Sequence, residues 1–221
     1  MFEVRHKRRK LMAKATMGRS RFKIQRRLGV ELPGLGKAGA LERRPYGPGQ
    51  HGMQRKKLSD YTVRLMEKQK VAFNYGLRER QLVNAVKKAK RVKGQAWVDV
   101  LVIALESRLD NVVFRMNWAP SAIAARQMVS HGHILLNGKK VNLPGIEVNA
   151  GDVIEITDKG AKSGNFLQAK ARPRISSIPA CLVVEKVGEK EKGKMVAKPL
   201  ADDIPFAFEK RLVTEYYWKV K

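Results

Sequence analysis

The chain has 221 residues, with 46 Lys and Arg against 20 Asp and Glu, a net charge of +26 and a pI near 10.5. A surface that balances its own charge is excluded: the free protein repels itself, and the natural remedy is a polyanion, because each phosphate neutralised releases counterions. One cysteine, Cys181, rules out an internal disulfide and a multi-cysteine zinc site, and no apolar run approaches the roughly 20 residues of a membrane span.

Apolar residues make up 43% of the chain, enough for a real core in one ordinary domain or two small ones. Charge is unevenly spread. Residues 1–60 hold 17 basic and 4 acidic side chains, residues 61–180 hold 20 and 9, and residues 181–221 hold 9 and 7. The polyanion is expected before residue 181, and a protein neighbour on the tail. The charged start, residues 1–10, has no apolar core behind it, so no secretory signal is expected and a reducing compartment fits best, with an organelle transit peptide as the alternative reading of an Arg-rich, acid-poor start.

Residues 1–57 lack a sustained apolar period and alternate basic clusters with Gly and Pro, so they are expected to be ordered only by wrapping a partner. Ser59 and Asp60 predict a cap for a first helix over 61–74, stopped near Gly76. A second helix over 78–92 places Leu82, Val86 and Ala89 on one stripe and Arg80, Lys87, Lys88 and Arg91 on the other face. A third over 97–116 repeats Leu101, Leu105, Leu109, Val112 and Met116 at helical spacing. Ser121 caps a short helix through Ser130. Beyond Gly132 the period changes to short strands, 134–136 and 140–142, around the Asn137-Gly138 hairpin signal. Further strands are expected at 147–149, 153–156 and 182–187. Residues 190–194 read as a charged loop, and 172–180 as an arm. The aromatic tail through Tyr216, Tyr217 and Trp218 reads as a docking segment.

Two stretches carry the chemistry. One runs from Ala125 to Val141, whose polar residues are Arg, Gln, Ser, His, Asn and Lys with no acid among them. Arg126 and Ser130 share a helix face, and Arg126 is placed for a bidentate phosphate contact. Gln127, His131, Gly132 and His133 follow at the turn, and Asn137, Lys139 and Lys140 at the hairpin. Arg115 and Ser121 precede them. The plain alternative for any one of these is a solvated charge; the cluster beside a Gly turn favours RNA, which is read through unstacked bases and backbone. The other stretch is Gly49-Gln50-His51-Gly52 with Arg55, Lys56 and Lys57, where glycines let backbone N–H groups approach phosphate. Tyr61 is placed to stack on a base, with Lys68 and Lys70 on the same helix. Gly34, Gly36 and Gly39 match G-x-G-x-x-G, but Pro33 precedes them and no strand leads in, so a flexible loop is expected rather than a nucleotide site. Asp110 is expected to pair locally with Arg108 or Arg115 rather than to catalyse. The histidines are too scattered for a metal site.

These centres, in this order, resemble the bacterial small-subunit ribosomal protein "S four" family. The residues that carry the resemblance are Pro48-Gly49-Gln50-His51-Gly52 with Leu58-Ser59-Asp60-Tyr61, then Arg108-Leu109-Asp110-Asn111-Val112-Val113 with Ala125-Arg126-Gln127 and Asn137-Gly138, and finally Leu212-Val213-Thr214-Glu215-Tyr216-Tyr217. The middle piece alone marks a small RNA-binding module that many RNA enzymes share.

The resemblance implies a mostly helical α+β protein. Its parts are a basic Gly/Pro-rich rRNA-binding extension over 1–57, a helical lobe over 58–105 completed by 171–221, and an inserted module over 106–170 of two helices on a small antiparallel sheet. It implies a non-enzymatic constituent of the cytoplasmic ribosome that binds 16S rRNA, nucleates assembly of the small-subunit body and influences accuracy. It further implies contact with the neighbouring protein "S five" and with mRNA near the point where it enters the subunit, without a homo-oligomer. No cofactor or metal is expected: some relatives hold a cysteine-ligated zinc near the start, where this chain has no cysteine. Ala122 stands where the family often has a basic residue. The rival readings are an RNA-modifying enzyme and a stress protein that uses the same module.

Overall fold

A computed structural model describes residues 20–54, 57–175, 177–187 and 190–218. The chain divides into one unit of residues 1–31 and 37–58 and another of residues 32–36 and 59–221. In the first, α1 (Arg21–Leu28) and α2 (Ala40–Arg43) replace the expected featureless run. Ile24 and Leu28, four apart, are both buried. Gly29 closes α1 with a φ of 67°, and its N–H returns to the Gln25 carbonyl. The Glu31 carboxylate accepts the Gly39 and Ala40 N–H groups at 2.9 and 3.1 Å. The expectation of no intrinsic structure is thus corrected for residues 20–43, while residues 1–19 lie outside the described residues.

The second unit begins with a helical part: α3 (Asp60–Asn74), α4 (Glu79–Ala89) and α5 (Trp97–Glu106). Ser59 caps α3, its Oγ accepting the Thr62 N–H at 3.3 Å. Val71, Leu82, Val86, Leu101 and Leu105 form one buried cluster with Val213 and Tyr217 of the tail. Each such side chain contributes about 1.5–3 kcal/mol by leaving water. The tail helix α10 (Lys210–Tyr216) lies against α3, where Arg64 Nε donates to Glu215 at 2.7 Å.

The expected helix over 97–116 is two helices. Ser107 ends α5, and α6 (Leu109–Arg115) starts afresh. Neighbouring backbone causes the break. The Leu109 and Asp110 N–H groups donate to the Ile146 and Pro144 carbonyls, and the Ser107 carbonyl accepts from Val148, so the helical ladder has no claim on them. Residues 147–149 supply only one isolated bridge, Glu147 to Arg108, instead of a strand.

Around α6 and α7 (Ala122–Ser130) lies the second core, with Trp118, Val129, Ile134 and Ile154 at its centre. It packs on a five-stranded antiparallel sheet of order β2-β1-β3-β5-β4, made of β1 (Ile134–Leu136), β2 (Lys139–Val141), β3 (Val153–Ile156), β4 (Leu182–Val187) and β5 (Lys190–Met195). Two short helices, α8 (Asp158–Ala161) and α9 (Gly164–Ala171), follow β3.

Strand β5 corrects the loop expected at 190–194. Its alternation is masked by composition: Glu191, Gly193 and Met195 point to the core and Lys192 and Lys194 away. Glu191 accepts the Trp118 indole N–H at 2.8 Å, and a Cβ at Gly193 would lie 2.1 Å from Met116 Sδ. Cys181, beside β4, belongs to this core, and burial pushes its thiol pKa up. The architecture is α+β and mostly helical, with ten α-helices among the described residues. None of those helices is long and apolar enough to cross a membrane.

Residues 32–36 are no flexible loop. They form a 3-10 turn, Pro33–Leu35, pressed against α3 and the start of α7. The Gly34 N–H donates to Asn74 Oδ1 at 2.9 Å. Any Cβ at Gly34 would lie 2.0 Å from the Asn74 carbonyl oxygen, and one at Gly36 2.2 Å from that of Pro120. The glycines permit backbone-to-backbone approach.

Candidate nucleic-acid interface

The module's rim is built by α7, the turn after it and the β1–β2 hairpin. Ser121 is buried and caps α7, its Oγ accepting the Ala124 N–H at 3.2 Å. Gly132 ends the helix with a φ of 69°, its N–H returning to the Val129 carbonyl at 2.8 Å. A Cβ there would lie 2.2 Å from Lys140 Cε, so glycine lets the Lys140 stem cross the turn. Asn137 and Gly138, both at positive φ, form the tight turn of the hairpin. The Asn137 side chain is taken up inside the module: it donates to Asp152 Oδ1 and accepts the Val153 N–H, both at 2.8 Å.

Gln127, Ser130, His131, Lys139 and Lys140 are left exposed, and His133 half-buried. The two imidazoles lie 6.0 Å apart. Burial first, then the charges of His131, Lys140 and Lys159, hold the His133 pKa below its ordinary value. Lys159 is a cation the sequence reading missed. It sits in α8, which Thr157 ties to the turn by donating its N–H and hydroxyl to the His133 carbonyl at 2.9 and 3.1 Å. Thr157 ahead of Asp158 was the signal, a cap before an acidic first turn.

Arg126 and Arg115 are placed differently. From Arg126, Nε and a terminal nitrogen reach one Asp110 oxygen at 3.0 and 2.7 Å, and the other terminal nitrogen reaches the Gly76 carbonyl at 2.6 Å. Arg108 holds the same carboxylate at 3.0 and 2.8 Å, so the expected Arg108–Asp110 pair is present. Arg115 is buried; its partners are Glu106 at 2.9 Å and the Asp203 carbonyl at 2.5 Å. Glu106 also accepts from Asn111 at 2.7 Å and from the Tyr75 hydroxyl at 2.5 Å.

In the first unit, Tyr46 to Gly52 form a closed loop. The Arg26 guanidinium donates to the Tyr46 and Gly47 carbonyls at 2.9 and 3.0 Å and lies over the Tyr46 ring. Gly49, Gln50 and His51 are exposed at its tip and Gly52 partly so; Lys57 is exposed, while Arg55 and Lys56 lie outside the described residues. In the second unit, Tyr61 is exposed, its ring 6.1 Å from that of Tyr216. Lys68 and Lys70 are buried, paired with Glu79 and Glu67 respectively, and Lys68 also lies against the Tyr216 ring.

A small module of two helices on an antiparallel sheet, rimmed by exposed polar and basic groups and joined to a helical body, defines the class of small RNA-binding modules attached to a larger scaffold. The comparisons agree. The model of the ribosomal protein S4/S9 N-terminal domain matches residues 17–106, and that of the S4 domain residues 107–154; their boundary falls at the break after α5. The chain is 52% identical over 197 residues to the small ribosomal subunit protein uS4B of Bdellovibrio bacteriovorus, covering 89% of this chain and 94% of that one. It is 46% identical to uS4 of Solidesulfovibrio magneticus, over 81% of this chain and 85% of the relative. Against uS4 of Nostoc punctiforme the identity is 44%, over 89% and 95%. The chain belongs to the ribosomal protein S4 family.

Proposed function

We propose that this chain is a structural, non-catalytic constituent of the small ribosomal subunit, in the cytoplasm, and binds 16S rRNA directly. The observation that carries the reading is the exposed rim of Gln127, Ser130, His131, Lys139 and Lys140 on a chain of net charge +26. The names of its relatives, each a small ribosomal subunit protein, support it. Phosphates and 2′-hydroxyls meet this rim, the Gly49 to Gly52 loop with Arg55, Lys56 and Lys57, Tyr61, and the outer face of α4. Shape supplies the specificity, because A-form grooves hide most base edges. Buried Ser121, Arg115, Lys68 and Lys70, together with Arg126 and Asn137, keep those surfaces in place.

The finer reading follows the same line. Residues 1–57 serve as the rRNA-binding extension, 58–105 as the helical lobe completed by 171–221, and 106–170 as the module, whose sheet β4 and β5 of that later stretch extend. Binding by several surfaces at once suits a protein that nucleates assembly of the subunit body. The nearly neutral tail leaves room for the neighbour "S five", and the position influences accuracy and mRNA near where it enters. The test is a binding titration at about 0.2 M salt, where non-specific phosphate contacts weaken. The protein is expected to prefer 16S rRNA over an unrelated structured RNA of equal length; equal affinity would refute the proposal.

A further inference from the structure

Arg126 sits in the module, on α7, and its guanidinium reaches out of the module. The carbonyls it takes, those of Tyr75 and Gly76 at 3.5 and 2.6 Å, close the end of α3. Terminal carbonyls of a helix have no partner inside it, and a cation there also meets the negative end of the helix dipole. Toward the other side the same guanidinium donates twice to Asp110, a side chain 4% exposed. Each of its three nitrogens is therefore engaged. A second hub lies beside it: Tyr75 donates its hydroxyl to Glu106, which Asn111 and Arg115 also hold. Tyr75 is thus held twice, at its carbonyl by Arg126 and at its hydroxyl by Glu106, which Asn111 and Arg115 grip from beyond the break at Ser107.

We propose that the Arg126–Asp110 pair is a positioning latch: it fixes the module against the end of α3, and so sets the spacing between the basic face of α4 and the module's rim that a structured RNA must span. The inference rests on the RNA-binding reading above. It assigns Arg126 a role other than phosphate contact. Two surfaces that grip one RNA together gain about 10²–10⁴ over either alone only if their geometry suits the ligand. Freeing the latch leaves every exposed cation in place and loses part of that gain. Lysine does not replace Arg126, because a point charge lacks the planar fork that serves two carbonyls and a carboxylate at once.

The full chain is compared with Asp110→Asn, which removes a negative charge, and with Arg126→Lys, which keeps the net charge; circular dichroism verifies folding. If Asp110→Asn does not fold, Arg126→Lys carries the test. In the RNA-free protein, amide exchange at residues 75–77 and 122–130 is expected to rise in the variants; unchanged exchange overturns the latch whatever RNA does. Affinity for in vitro transcribed 16S rRNA is expected to fall about ten-fold, with an unchanged salt slope, while affinity for poly(U) stays the same. A merely structural defect would not separate the two RNAs. Unaltered or tighter rRNA binding by both variants overturns the positioning role. Wild-type protein that binds 16S rRNA no better than poly(U) instead refutes the function proposal and leaves the latch nothing to position, and raised exchange then still reports its bonds.

Discussion

His133 is half-buried near His131, Lys140 and Lys159, and its burial and those charges all oppose its protonation. With its folded pKa below the ordinary 6.5, the unfolded chain binds the proton more readily. The stability this His contributes is therefore fully present above about pH 6.5 and is lost as pH falls from there toward the folded value. His133→Gln should shrink the difference in urea midpoint between pH 7.5 and pH 5.5; an undiminished difference would place the titrating group elsewhere. Residue types at this scale were legible, and so was the local Arg108–Asp110 pair, but partners distant in sequence were not. Arg126 read as a phosphate ligand because its neighbours are basic. Nothing in one sequence reveals that Asp110, 16 positions away, and the end of α3 hold it. Lys68 and Lys70 show the same limit: a lysine on a helix reads as exposed until the acids opposite it, Glu79 and Glu67, are placed.

At the scale of elements, helices with a clear apolar stripe were legible, and α3, α4 and α7 fall within a few residues of expectation. The failures have a common cause, which is competition from a neighbour. One helix became two because residues 144–148 supply hydrogen bonds to residues 107–110. Strand β5 was hidden because its inward positions are Glu191 and Gly193, one held by Trp118 and one pressed against Met116. The turn at 33–35 was mistaken for a flexible loop because glycine signals both freedom and close approach. The structure decides for approach, and Gly34→Ala tests it. The added methyl meets the backbone oxygen of Asn74, which cannot rotate away, so a loss of about 1–3 kcal/mol is expected. Urea denaturation measures it, and an unaltered midpoint would show that the turn yields.

For the molecule as a whole, charge makes a polyanion partner legible but not which cations meet it. A net charge of +26 points to a polyanion, but the structure divides the cations into those left in water and those committed to internal carboxylates. Only the first group should register in the salt dependence of binding. Lys139→Gln with Lys140→Gln should lower the slope of log K against log salt by about 2, roughly one for each phosphate contact removed. Titrations between 50 and 200 mM salt give the slope; an unaltered one would move the contact away from the hairpin.

The lone cysteine gives the chain a clock. Cys181 is buried where β4 begins, its carbonyl accepting the Val196 N–H at 2.9 Å beyond the end of β5. Only the thiolate reacts with a disulfide or maleimide reagent, and burial disfavours that form. Labelling must then wait for the outer strand pair of the sheet to open, and it stops at one label per molecule. The rate at which the protein takes up its single label reports how often that edge breathes, without any engineered probe.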